Sequence, residues 1–210
     1  MVADPLGDRG RRAQVLGVVL AGGASRRYGR DKALALLGGI PLLQWVVDRI
    51  RPQVNELAIS GDTRPGFDLQ AIPDEVPDSG PLAALCSILA WAEGKGFALV
   101  MTASCDTPFV PRDIASVLHA SLADHNCAVA SWGGAVHPTC ALWKTACRTN
   151  IDTAFDAGVR SLHGAVSCVN AIVVDFSTVD GPGGDPFFNI NSQTDMAVAQ
   201  DWLAAGHQLR

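Results

Sequence analysis

The chain alternates short apolar runs with amphipathic stretches. The run VLGVVL, residues 15–20, leads directly into Gly22 and Gly23 and marks a short buried strand. Residues 33–37 form a brief apolar piece ended by Gly38 and Gly39. Pro41 is placed to open a helix in which Leu42, Leu43, Val46, Val47 and Ile50 share one face, and Pro52 closes it. A second strand over 57–59 stops at Ser60, a Gly/Asp/Thr/Pro loop covers 61–66, and 69–72 reads as a third short strand. Residues 73–81 carry too much proline and glycine for a regular element. Pro81 then begins a helix with Leu82, Leu85, Ile88 and Leu89 inward. FALVMT, residues 97–102, is continuously apolar, the pattern of a strand in the middle of a parallel sheet. A helix near Pro111 points Ile114, Val117, Leu118 and Leu122 inward.

This order of strands and helices predicts an α/β fold with a mostly parallel sheet. The remainder is looser. Strands over 127–130 and 136–143 flank a Gly133-Gly134 turn, helical stretches cover 144–157 and 160–168, and 171–176 is a further strand. A Gly/Pro loop over 180–186 leads to FFNIN, 187–191, and to a final amphipathic helix carrying Met196, Ala199, Trp202 and Leu203. The length of 210 residues fits one domain, 13–210, behind a polar tail, 1–12, expected to be disordered.

Composition narrows the function. Hydrophobic residues make up 48% and charged residues 18%, enough apolar material for a full core. No apolar run reaches the length of a membrane span, and the amino-terminal stretch lacks the apolar segment of a signal peptide. A net charge of -5, with no basic stripe interleaved with aromatics, argues against nucleic acid as a partner. The six cysteines form no C-x-x-C pair and no zinc spacing with histidine, so they read as reduced, largely buried thiols of a cytoplasmic protein. Cys105 abuts Asp106, but with no histidine near it in sequence it reads as packing.

Against that acidic background, LAGGASRRYGRDK, residues 20–32, stands out. It places Arg26, Arg27, Arg30 and Lys32 beside Gly22 and Gly23, at the carboxyl end of the first strand. Glycines let backbone N–H groups converge into a concave anion site, and open α/β sheets bind ligands at this end. The loop matches neither a P-loop nor a dinucleotide fingerprint. Arg26 and Arg30 read equally well as surface charges. Asp106 follows the apolar strand at its own carboxyl end. It can hold a divalent cation together with substrate phosphates, or cap a helix through Asp-Thr-Pro.

The string LAGG-x-S-x-R-x-G-x-DK resembles the signature of the MobA-like nucleotidyltransferases, most closely those acting as molybdenum cofactor guanylyltransferases. The segments Cys105-Asp106-Thr107-Pro108, Asp74 with Gly80-Pro81-Leu82, His137-Pro138-Thr139 and Phe187-Phe188-Asn189-Ile190-Asn191 resemble the family's later motifs in order. Ser60, Ala84 and Ser104 depart from its pattern.

The resemblance implies a three-layer, doubly wound, Rossmann-like nucleotidyltransferase fold. It implies an enzyme that transfers GMP from GTP to the terminal phosphate of Mo-molybdopterin, with Mg2+ as cofactor. Lys32, Arg27 and Asp106 would be catalytic. Leu20, Ala21, Gly22, Gly23, Lys32, Ser60, Asp74, Gly80, Pro81, Leu82 and Asp106 would contact the nucleotide, and Asp106 the metal. Asn189 and Asn191 alternate on an extended piece; one could reach the metal and both could hydrogen-bond the pterin, or the pair could tie the last strand to neighbouring backbone. Downstream partners would be molybdoenzymes or cofactor-insertion proteins. Competing expectations are a cytidylyltransferase, a sugar-phosphate nucleotidyltransferase and a non-catalytic cofactor-delivery protein.

Overall fold

The computed structural model describes residues 14–22, 31–179, 181 and 183–205. The expected tail, 1–12, lies outside the described residues, as do Gly23 and Arg27.

Strand β1 (Val15–Leu20) is an interior strand, third from one edge, of a sheet of seven strands among the described residues. It pairs in parallel with β4 (Glu56–Ser60) on one side and β6 (Leu99–Ser104) on the other. β5 (Gln70–Ile72) extends the sheet in parallel beyond β4. On the far side of β6 come β8 (Ala135–Lys144), β7 (Cys127–Trp132) and β9 (Ala171–Asp175), giving the order β5-β4-β1-β6-β8-β7-β9. The sheet is mostly parallel, as expected. The exception is β8, antiparallel to both neighbours. Gly133 and Gly134 have φ of 56° and 83°, the left-handed pair that a two-residue hairpin turn requires, so the chain doubles back beside β7. The register of that hairpin jumps between Val129↔Ala141 and Ala130↔His137. Pro138, which has no N–H to offer a ladder, falls in the jump.

Helices cover both faces because alternate strand residues point to opposite sides. On one face Val19, Met101, Ala103 and Leu142 pack against α1 (Leu42–Ile50) and α3 (Ile114–Leu122). On the other, Leu16, Val18, Val100 and Trp143 meet α2 (Pro81–Gly94), α4 (Arg148–Asp156) and α5 (Leu162–Ser167). Trp143 is fully buried, and its indole N–H is satisfied by Thr102 Oγ1 at 3.2 Å across the β6–β8 pair. A third cluster forms where α6 (Gln193–Ala204) lies on the two-residue strand β2 (Leu36–Leu37), which pairs with β3 (Ile40–Pro41), and on Leu42 and Phe109.

The expected helical stretch 144–157 begins later, at Arg148, because Lys144 still belongs to β8 and 145–147 form a 3-10 turn, and two further boundaries differ for local reasons. The expected strand 97–102 is displaced to Leu99–Ser104, because the Phe97 N–H closes the end of α2 on Ala92 O at 2.9 Å while its ring stacks on Trp91. The expected piece at 33–37 splits into a 3-10 turn over Lys32–Leu34 and then β2.

Candidate active site

The carboxyl ends of β1, β4 and β6 lie side by side, since the three strands are parallel and adjacent. Residues that follow these ends in the sequence are therefore brought to one edge of the sheet.

Asp106 is placed two residues past β6. Its neighbour Cys105 is tied to the end of β1 by an N–H bond to Leu20 O at 3.1 Å. The Asp106 carboxylate accepts from Ser104 Oγ at 2.5 Å through Oδ1 and from Lys32 Nζ at 2.7 Å through Oδ2. Lys32 opens the 3-10 turn after the glycine-rich loop, and its ammonium also donates to Asn191 Oδ1 at 2.8 Å. Side-chain exposure is only 14% at Lys32 and 16% at Asp106, so the pair is partly shielded from water. Three segments far apart in sequence thus converge on one ammonium.

Asn191 is held by the start of α6. Asp195 Oδ2 accepts the N–H groups of Asn191 at 2.9 Å and Ser192 at 2.8 Å, and Ser192 Oγ accepts the Asp195 N–H at 3.1 Å. This is a capping box that also aims the residue before it. The Ser192 hydrogen bond, with those backbone donors and nearby Lys32, lowers the Asp195 pKa. Ile190 docks its N–H on Asp106 O at 2.9 Å and buries its side chain, so Asn191 follows a fixed point. Asn189 is exposed, and of the two amides it is Asn191 that reaches Lys32. The 187–191 segment belongs to no strand.

A second group forms beside it. Ser60, fully buried at the end of β4, lies beside the Asp74 carboxylate, and Gly22 faces Asp74, where a methyl group would lie 3.9 Å from Oδ2. Burial raises the Asp74 pKa, the nearby charge of Asp62 adds to the rise, and the Ser60 hydroxyl opposes both. Among the described residues Asp74 Oδ1 is buried with no hydrogen-bond partner. A buried acceptor without a donor is costly, and a ligand N–H or O–H would satisfy it.

Gly80, Pro81 and Leu82 lie at the start of α2. Gly80 has φ of 86°, and a Cβ there would meet Arg160 O at 3.0 Å. Leu82 buries its side chain completely in the core and donates its N–H to the same Arg160 carbonyl at 3.1 Å. These residues anchor the loop to α5's leading segment. Leu20 and Ala21 likewise have occupied carbonyls, accepting from Cys105 N and Arg64 Nη2.

Cys105 is buried, and burial pushes its thiol up to about 12, which leaves it inert as a nucleophile. His137 stacks on Phe187 at 4.7 Å, and burial lowers its pKa. Among the described residues no three His, Cys, Asp or Glu side chains gather as a metal cage. The hard oxygen donors on hand are the Asp106 carboxylate and the Asn191 amide.

Sequence reasoning did not single out Arg64 or Asp195. Arg64 contacts both flanks of the glycine-rich loop, and its signal was a cation just past the carboxyl end of the second strand. Asp195 was legible as the fourth residue after the start of Asn191-Ser192-Gln193-Thr194-Asp195, a capping pattern ahead of a helix.

A basic, glycine-rich loop and a carboxylate at adjacent parallel strand ends define an α/β nucleotide-binding enzyme of the nucleotidyltransferase class. Known proteins agree. The MobA-like NTP transferase domain matches residues 17–169. A molybdenum cofactor guanylyltransferase of Cereibacter sphaeroides is 40% identical over 195 residues, covering 90% of this chain and 97% of that protein. This chain belongs to the MobA-like NTP transferase family. Its fold is shared with the molybdopterin-guanine dinucleotide biosynthesis protein A of Archaeoglobus fulgidus, at a TM-score of 0.73 and 20% identity over 91% of this chain and 100% of that one. It is shared too with the 2-C-methyl-D-erythritol 4-phosphate cytidylyltransferase of Thermus thermophilus, at a TM-score of 0.63 and 20% identity over 90% and 98% of the two chains. No helix among the described residues is long and apolar enough to cross a membrane.

Proposed function

We propose that this protein is a molybdenum cofactor guanylyltransferase, which joins GMP from GTP to the terminal phosphate of molybdopterin and releases pyrophosphate. The observation that carries the reading is the meeting of Lys32, Asp106 and Asn191 at the carboxyl ends of β1 and β6, in a chain 40% identical to a protein of that name.

The chemistry asks little of a general base. The attacking group is a phosphate oxygen that is already anionic. It forms a bond to the α-phosphorus of GTP while the bond to the β-phosphate oxygen breaks. What must be supplied is alignment and neutralisation of the charge on the α-phosphoryl oxygens and departing pyrophosphate. Lys32 supplies a fixed cation, oriented beforehand by Asp106 and Asn191. Asp74, with its unfilled acceptor, takes a nucleoside donor group. The Asp106 carboxylate, which keeps acceptor capacity beside its bonds to Ser104 and Lys32, would hold Mg2+, and the ion would add Lewis-acid charge at the phosphates. Molybdoenzymes or their cofactor-insertion proteins would receive the product.

The test is pyrophosphate release with GTP, CTP or UTP, each with molybdopterin. GTP should support turnover and the others much less. A preference for CTP would overturn the guanine assignment. GTP binding with no turnover would favour a delivery protein instead.

A further inference from the structure

Arg64 lies in the loop between β4 and β5, outside the family's motifs. Its side chain is 13% exposed and forms an ion pair with the Asp31 carboxylate through Nε. Nη2 donates to Ala21 O at 3.1 Å, and Nη1 to Asp62 O at 2.6 Å. Ala21 and Asp31 flank the two sides of the glycine-rich loop, so one rigid planar cation touches both. Asp31 also caps the 3-10 turn that starts at Lys32, accepting the Ala33 N–H at 3.1 Å through Oδ1. The path runs from Arg64 through Asp31 to the turn that presents Lys32.

We infer that Arg64 is a positioning residue for the nucleotide: it clasps the two flanks of the glycine-rich loop and cancels the charge of Asp31, which otherwise stands beside the triphosphate. The inference rests on the nucleotide reading of this site. Without Arg64, an unpaired carboxylate would sit next in sequence to Lys32 and repel an anionic ligand. The guanidinium is already engaged by protein acceptors, so its part is to fix Ala21 and Asp31 and to neutralise the carboxylate beside Lys32, while Lys32 would meet the phosphates. A lysine at this position would keep the charge but lose the fork that reaches Asp31, Ala21 and Asp62 together.

The test is GTP affinity by isothermal titration together with steady-state kinetics, for the parental protein, R64A, R64K and the double variant R64A/D31N. R64A should weaken GTP binding about tenfold or more, the scale of a charge-assisted contact, while kcat at saturating GTP stays within about threefold. R64K should fall between. R64A/D31N should recover part of the affinity, because the unpaired charge is gone and asparagine still caps the turn. If Arg64 only braces the fold, folded R64A melts earlier but binds GTP like the parent, and the proposal fails. Should R64A not fold, R64K alone decides: unchanged affinity overturns the clasp. A parental protein that binds no GTP overturns the nucleotide reading and the clasp together, whereas parental binding matched by R64A overturns the clasp alone.

Discussion

Replacing Lys32 by alanine removes an ammonium that donates, among the described residues, to Asp106 Oδ2 at 2.7 Å and Asn191 Oδ1 at 2.8 Å. The bare Coulomb attraction of the ion pair at that distance is about 6 kcal/mol with an effective dielectric near 20. Desolvation of both groups offsets most of it, and exposures of 14% and 16% place the pair between the surface and buried cases. A net stability loss of about 1–3 kcal/mol follows. The effect on catalysis should be larger. A fixed donor aimed at developing phosphate charge is worth about 3–4 kcal/mol, so turnover should fall roughly 10²–10³-fold. The assay is pyrophosphate release at saturating GTP and molybdopterin, with a urea melt on the same sample. Loss of stability with turnover within about threefold of the parent would make Lys32 a structural strut and refute the catalytic reasoning. The companion Asp106→Asn keeps the shape and the bond to Ser104 but removes the charge that orients Lys32. It should slow turnover without unfolding the protein.

Asp74→Asn should stabilise the ligand-free protein at pH 7 and weaken GTP binding. Because the folded-state pKa of Asp74 is raised, the native state binds more protons than the unfolded chain, and stability falls as pH rises past the ordinary carboxylate range. The stabilisation by asparagine should therefore shrink as pH drops toward about 4, which thermal melts at several pH values would check; a gain that grows on acidification would contradict this. Gly80→Ala should cost about 1–3 kcal/mol in urea unfolding, since alanine must adopt φ of 86° with its methyl against Arg160 O at 3.0 Å. Iodoacetamide at about pH 8 should modify exposed Cys168 in the folded protein and leave Cys105 untouched until the chain unfolds. Stoichiometric labelling of native Cys105 would show that its burial is misread.

The site was partly legible beforehand. Lys32 and Asp106 stand at strand ends that periodicity marks clearly, and parallel strands bring such ends together whatever their spacing in sequence. Arg64 shows in the sequence only as a cation past a strand end; its partners Asp31 and Ala21 were not legible, because those contacts are made across the strand pair β1–β4. Leu82 carries the opposite lesson: a residue inside a recognisable motif buries its side chain in the core.

By itself the sequence determined the α/β class, the central apolar strands, the helix faces and the loop chemistry after β1, because these follow from local periodicity, turn residues and charge. It could not decide that β8 inserts antiparallel between β6 and β7, since strand neighbours are chosen by non-local pairing. Nor could it decide that Asn191, rather than Asn189, reaches Lys32. That choice depends on the Asp195 capping box and the docking of Ile190 on Asp106, contacts that exist only once the last helix has packed against the rest.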